Sequence, residues 1–424
     1  MAVVRPFRGL RYRADAGPLA TLVAPPYDVL STEQRAEYGA KSPHNIVHLT
    51  LPEQHADDRS KYVKYARSSS RLQQWRTEGQ LAPDAEPAYY RYRQTFTVPG
   101  SAVPQERLAL IGLIRLEPYD RGVVLPHEQT FPKHKEDRLR ILEATRSHLE
   151  CIFGLYEDDD HAALDAIQTA PGQPVADVTD AEGVHHIVEL IDDAEAVTAI
   201  QAALAPRKVW IADGHHRYET ALTHRANLGD RDGEVAEDYM MMALTSMADP
   251  GLALLPTHRI LKQLMLTPVE LKARLAPHFA IEDVPNQDLM RHLEAHAQPG
   301  AFGIALPGGY GMFLKAHDPV AIRAAMEGAG SAALKDLDVS VLHAFIFGHL
   351  LNLTGLDFFG YTRDPEEALG AVEAGSPGAF LMNPPTVHDM RVIALGGEKM
   401  PQKSTYYFPK ILSGLVLWSL DDFA

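Results

Sequence analysis

Apolar positions along this chain recur in two periods, and the changes between them mark out its elements. Tyr65, Leu72 and Trp75 fall at helical spacings, which predicts a helix over 58–79. Tyr89 to Val98 and Leu108 to Glu117 alternate or cluster β-formers, as two strands of one sheet do. A helix is predicted from about Glu136 to Ser147, and a strand at Cys151 to Tyr156. After an acidic, alanine-rich stretch, a strand near His185 to Leu190 and a helix near Ala194 to Leu204 lead to the apolar run Lys208 to Ala212. That run reads as a buried strand, followed by a turn and a helix from about Arg217 to Asn227. Tyr239 to Thr245 reads as another strand. From about residue 268 short helices and strands alternate to the end. The fold class expected is α+β, mixed sheets with flanking helices, divided into an N-terminal α/β region (1–267) and a C-terminal α+β domain (268–424).

Composition narrows the class. Hydrophobic residues make up 46% of the 424 and charged residues 23%, the balance of a globular chain. No run approaches the roughly 18 uncharged apolar residues of a membrane span. The start, Met1 to Phe7, lacks the apolar region of a secretory signal, so no membrane role and a cytoplasmic location are expected. The single cysteine, Cys151, excludes an internal disulfide and Cys-rich zinc modules. A net charge of -16, from 40 Lys+Arg against 56 Asp+Glu, and the lack of a basic helix argue against specific nucleic-acid binding. An acidic body with isolated basic pockets suits a small anionic ligand better than a polymer. The sequence leaves oligomeric state open, a homo-oligomer included.

The densest chemistry lies in Asp213-Gly214-His215-His216-Arg217, directly after the predicted buried strand. A strand, a tight turn and a helix start point unpaired N–H groups at an anion. Arg217, expected on the surface at the helix start, can grip phosphate oxygens with two parallel hydrogen bonds. His215 and His216 can donate, or transfer a proton near neutral pH. Asp213 can cap the helix, orient a histidine or hold a metal. An Asp-Gly turn before a helix is often only structural, but so many chemically capable residues in succession are rare. Adjacent helix residues do not face one another, which disfavours a metal held by His215 and His216.

With Ala24-Pro25-Pro26-Tyr27-Asp28-Val29, Leu255-Pro256-Thr257-His258-Arg259 and Met400-Pro401-Gln402-Lys403-Ser404-Thr405-Tyr406-Tyr407-Phe408-Pro409-Lys410, this motif resembles the domain-of-unknown-function family numbered 1015. The resemblance runs nearly end to end and takes in His127-Glu128 and Lys135 to Leu139. One departure is Cys151, where the resemblance implies proline; it reads as a surface position on a strand. Gly214 to Arg217 is also similar, more weakly, to the Gly-x-x-Arg phosphate loop of the ParB/sulfiredoxin superfamily. That implies a ParB/sulfiredoxin-like core and a nucleotide phosphate on the turn. The cysteine that sulfiredoxins carry in the loop is replaced by histidine. The basic helix-turn-helix of partition proteins is not found. A free serine kinase, or a phosphoserine phosphotransferase running in reverse, remains.

Other candidates are weaker. Asp28, on a loop stiffened by Pro25 and Pro26, is the favoured general base, although capping a helix near Ser31 to Glu37 would explain it equally. Glu128 is a second base or metal ligand; His127, Lys133 and Arg138 would hold substrate phosphate or carboxylate. A solvated charged loop explains that group as well. Thr257-His258-Arg259 reads as a helix start after Pro256 and a second anion site. Lys403-Ser404-Thr405 suits a phosphate, although without a glycine-rich lead it is no P-loop. These residues are expected to fold back toward Asp213–Arg217 and share one anionic pocket.

The function expected is a phosphotransferase acting on a small hydroxy amino acid, with L-serine or O-phosphoserine implied by the resemblance. ATP, ADP or pyrophosphate would be the donor, with Mg²⁺ bridging the phosphates. The alternatives are a nucleotide-binding regulator related to partition proteins and a metal-dependent phosphoesterase.

Overall fold

The computed structural model describes all residues of the chain except Gln129, Phe131, Asp230, Glu327, Ala329, Gln402 and Ala424. The side chains of Pro132, Lys133, His134 and Leu356 are also outside the description. The architecture is mixed α+β, with several sheets and flanking helices. The chain divides into two compact units. The first comprises residues 1–126, 130–253 and 409–424; the second comprises 127–129 and 254–408. No helix among the described residues is long and apolar enough to cross a membrane.

The first unit is built on a nine-stranded sheet. Its main path runs Val124–Leu125, Val209–Asp213, Ile152–Tyr156, Tyr239–Ser246, Pro104–Arg115, Tyr89–Thr97, His185–Ile191 and Gln173–Thr179, and Val4–Arg5 pairs with Pro104–Arg115. Ile152–Tyr156 and Tyr239–Ser246 run parallel at the centre, and every residue of both is buried. Buried on both faces, they read in the sequence as apolar runs without alternation. Helices His215–Asn227 and Ala194–Leu204 contribute Tyr218, Ala221, Ile200 and Leu204 to the core against this sheet.

The C-terminal segment closes the same unit. Trp418–Ser419 pairs with Ser147–His148, and bridges join Leu417 to Leu10 and Ser413 to Ala24. Ser413 therefore lies against Ala24, at the start of the Ala24–Val29 motif. This long-range return carries no local periodicity.

The second unit holds a six-stranded antiparallel sheet. Its order is Phe279–Pro285, Tyr310–Ala316, Ala301–Ala305, Gly378–Met382, His258–Leu261 and Phe359–Thr362. His258–Arg259, read from the sequence as a helix start, opens one of its strands. The His258–Leu261 segment finds neighbours on both sides, and that pairing overrides the helix-start signal of the proline.

Candidate functional site

In the first unit the Val209–Asp213 strand ends at a bulge opposite Phe153, and the chain turns at Gly214 into the helix His215–Asn227. Gly214 has φ 94°, and a Cβ there would stand 2.5 Å from Ile152 Cγ2. Glycine fits both the left-handed backbone and the close approach. It offers no side chain to cap the helix, and the first turn holds no acid, so the positive helix end stays uncompensated by a carboxylate on its own turn.

Arg217, read from the sequence as a surface cation, is buried at 8% exposure. Its Nη1 donates to the Cys151 carbonyl at 2.6 Å, and its Nη2 lies 3.8 Å from Asp213 Oδ2. Nε has no hydrogen-bond partner among the described residues. Burial alone would lower its basicity, but Glu150, Asp213 and Asp28 outweigh burial and hold the guanidinium firmly charged. Cys151 is buried and precedes the strand rather than lying on its surface. Burial pushes its thiol up to about 12, which leaves no thiolate nucleophile at neutral pH.

Asp213 sits between two cations. Lys410 Nζ is 3.3 Å from its Oδ2, and Arg217 approaches from the helix. Burial would raise its carboxyl, yet Lys410 and Arg217 hold it well below the usual carboxylate range. Asp213 is therefore an anion that fixes two cations at the turn. His215 is buried and His216 half-buried beside it.

The Ala24–Val29 loop meets this group through Tyr27. The guanidinium carbons of Arg138 and Arg217 lie 4.0 and 5.8 Å from its ring centroid. Tyr27 N donates to Glu150 Oε1 at 3.0 Å, and Ser413 Oγ donates to the same oxygen at 3.0 Å. Asp28 is exposed in the turn that follows. The helix Thr32–Lys41 is capped by Ser31, so Asp28 does not serve as its cap. Arg138 is 7% exposed; its Nη1 donates to the Thr50 carbonyl at 2.8 Å and its Nε to Asp137 at 3.1 Å. Arg138, Glu150, Arg217 and His148 line a cavity of about 50 Å³. His148 stacks on Trp418, and burial lowers it to about 3, so it is neutral there.

Asp28, Arg138, Asp213, Gly214, His215, His216 and Arg217 thus lie in the first unit, and the structure links Asp28, Arg138 and Arg217 through Tyr27. Lys133 lies on the helix Pro132–Thr145, its side chain outside the described residues. The remaining sequence candidates lie in the second unit. Glu128 Oε1 accepts from Lys403 N at 3.0 Å, and His127 Nε2 is 2.9 Å from Thr405 Oγ1. Ser404 is buried and donates to the Pro401 carbonyl. Lys403 is exposed, with φ 56°. Arg259 is fully buried; Nε donates to His343 Nε2 at 2.9 Å, Nη2 to the Lys403 carbonyl at 3.3 Å, and Nη1 to the Thr257 carbonyl. Burial lowers Arg259 to about 10, opposed by Tyr361 and Glu128. His258 Nδ1 accepts from Met382 N, and burial lowers the ring to about 4.

Sequence reasoning missed Tyr27 as a cation platform, and Glu150, His148 and Lys410. Tyr27 and Lys410 stand inside motifs that were visible, one residue before Asp28 and seven after Lys403. Glu150 and His148 carry no local signal.

No curated protein matches the chain. Among solved structures, a point mutant of free serine kinase in complex with ADP is 13% identical with a TM-score of 0.37, covering 73% of this chain and 93% of that one. A conserved hypothetical protein from Pyrococcus furiosus is 15% identical with a TM-score of 0.36, covering 74% and 97%. SbnI with a C-terminal truncation, from Staphylococcus aureus, is 10% identical with a TM-score of 0.36, covering 72% and 86%. The family model stops before the Met400–Lys410 motif, whose likeness rests on its residues alone. That model, DUF1015, described as a protein of unknown function, matches residues 4–340, and the chain belongs to this family.

Proposed function

We propose that the protein is a phosphotransferase that moves a phosphoryl group between a nucleotide or pyrophosphate and a small hydroxy amino acid. The observation that carries this reading is the Gly214 turn, a helix start without an acidic residue in its first turn, with Arg217 and Lys410 both held by Asp213 Oδ2. Fixed cations at a helix start stabilise phosphate charge without reorganising during reaction. Serine as the acceptor comes from the resemblance of Gly214 to Arg217 to the Gly-x-x-Arg loop.

In this reading the turn holds the donor phosphates, and Arg217 and His216 bear on their oxygens. Asp28, exposed beside Tyr27, takes the proton of the acceptor hydroxyl. The hydroxyl oxygen then bonds to phosphorus as the bond to the donor's bridging oxygen breaks, and the donor leaves one phosphate shorter. Glu128 is the weaker base, since its carboxylate already receives Lys403 N–H. Among the described residues no three His, Cys, Asp or Glu side chains gather as a metal cage. A Mg²⁺ arriving with the donor phosphates would need only one or two protein carboxylates and would supply charge neutralisation, leaving Asp28 free to act as the base.

The test is ³¹P NMR of the protein with Mg²⁺, L-serine and ATP, ADP or pyrophosphate in turn. Appearance of O-phosphoserine with one donor supports the reading. Orthophosphate without phosphoserine would instead indicate a phosphoesterase. Binding without turnover of any donor would indicate a nucleotide-binding regulator.

A further inference from the structure

The second unit contains a cavity of about 610 Å³ that none of the chemistry above uses. It falls within the range of roughly 300–1,000 Å³ typical of small-molecule sites. Leu337, Val339, Val341, Met382 and Ile393 supply buried apolar surface. The charged groups among its described lining residues are Arg323, Asp336, Asp338 and Asp389, with His388 exposed nearby. Arg323 is paired with Asp336, so the charges that remain are carboxylates. Asp338 accepts one bond, from Gly300 N at 2.7 Å, and Asp389 caps its own helix through Thr386. Asn383 Nδ2 is buried without a hydrogen-bond partner among the described residues.

We propose that this cavity is a ligand site for an organic cation, an amine carried on an apolar body. Charge complementarity selects the head group, because Asp338 faces apolar walls and the cation among the described lining residues, Arg323, is paired with Asp336 instead. The apolar walls select the body, and Asn383 adds one unused polar atom for a hydroxyl or carbonyl on it. Burial, opposed by the Gly300 N–H and reinforced by Asp389, lifts the Asp338 carboxyl to about 7. An incoming ammonium favours the ionised carboxylate, so binding releases protons from Asp338 to the buffer. Asp389, the Arg323–Asp336 pair and His388 are the other charged or titratable groups lining the cavity, and none supplies a free cation to compete.

The probes are 2-phenylethylamine, 2-phenylethanol and 3-phenylpropionate, titrated calorimetrically into the full chain at pH 7 in two buffers of different ionisation enthalpy. The amine is expected to saturate at millimolar concentration or below and to release a fraction of a proton. The alcohol and the carboxylate should bind at least about tenfold more weakly. Asp338→Asn, which keeps an acceptor for Gly300 N, should fold with an unchanged or higher melting temperature and lose at least about tenfold in amine affinity. The proposal is overturned if the wild-type chain fails to saturate with millimolar amine, or binds the alcohol or carboxylate as tightly. It is equally overturned if folded Asp338→Asn binds the amine unchanged. The wild-type comparison decides without any variant.

Discussion

Lys410 Nζ stands 3.3 Å from Asp213 Oδ2, so a residue near the C-terminus supplies the counter-charge of a turn nearly two hundred positions earlier. The Ser413–Ala24 and Trp418–His148 pairings hold the segment in place, which makes Lys410 a fixed cation rather than a mobile one. Asp213 therefore organises two positive charges at the helix start.

Replacing Lys410 by Met should destabilise the protein by about 1–3 kcal/mol at neutral pH, because Asp213 loses its nearer side-chain cation and keeps the more distant Arg217. The pH dependence has a definite sign. The folded-state carboxyl of Asp213 is depressed, so its contribution is complete above its unfolded value near about 3.9. It is lost as pH falls towards the folded value of about 2. Urea midpoints should drop more steeply between about pH 4 and 2 in the wild type than in Lys410→Met. Parallel curves over that window would show that Lys410 does not set the Asp213 charge.

Arg217→Ala should cost about 3–5 kcal/mol as well as phosphate binding, because it strips a buried cation from Asp213 and Glu150. Arg217→Lys keeps the charge but not the planar fork, and should fold better while still binding phosphate ligands at least about tenfold more weakly. Chemical denaturation beside ligand titration separates the two effects. Wild-type affinity in Arg217→Lys would remove the guanidinium from the site.

Gly214→Ala should destabilise by about 1–3 kcal/mol from the left-handed backbone alone, and by more from the overlap with Ile152. Ile152→Ala in the same chain should relieve only the second part. A double-mutant cycle by urea unfolding measures that coupling, and simple additivity would place the strain elsewhere.

A chain of net charge -16 should show no sequence-specific DNA binding at about 150 mM salt. A mobility shift at nanomolar protein, competed by one sequence only, would promote the regulator reading.

The elements legible in the sequence were those with strong local periodicity. The helix Ala194–Leu204, the strand Tyr239–Ser246 and the strand–turn–helix at Gly214 stand where the pattern put them. The edge strand Gln173–Thr179, half exposed and without alternation, was not visible, and His258–Arg259 was misread through Pro256. At the candidate site, residue types were legible but burial and partners were not. Arg217 looked like a surface cation because nothing local reveals that Cys151 and Glu150 enclose it. The Met400–Lys410 motif pointed to Lys403, while Lys410 is the cation on Asp213, a pairing that only long-range return of the chain creates.

The most direct test of the central claim is calorimetric titration of the wild-type protein and Arg217→Lys with ADP, ATP and pyrophosphate, each with and without Mg²⁺. The account predicts saturable binding of at least one of them to the wild type, and a loss of at least about tenfold in a folded Arg217→Lys chain. No binding of any phosphate ligand to the wild type, or equal affinity in the two proteins, would contradict a phosphate site on the Gly214–Arg217 turn.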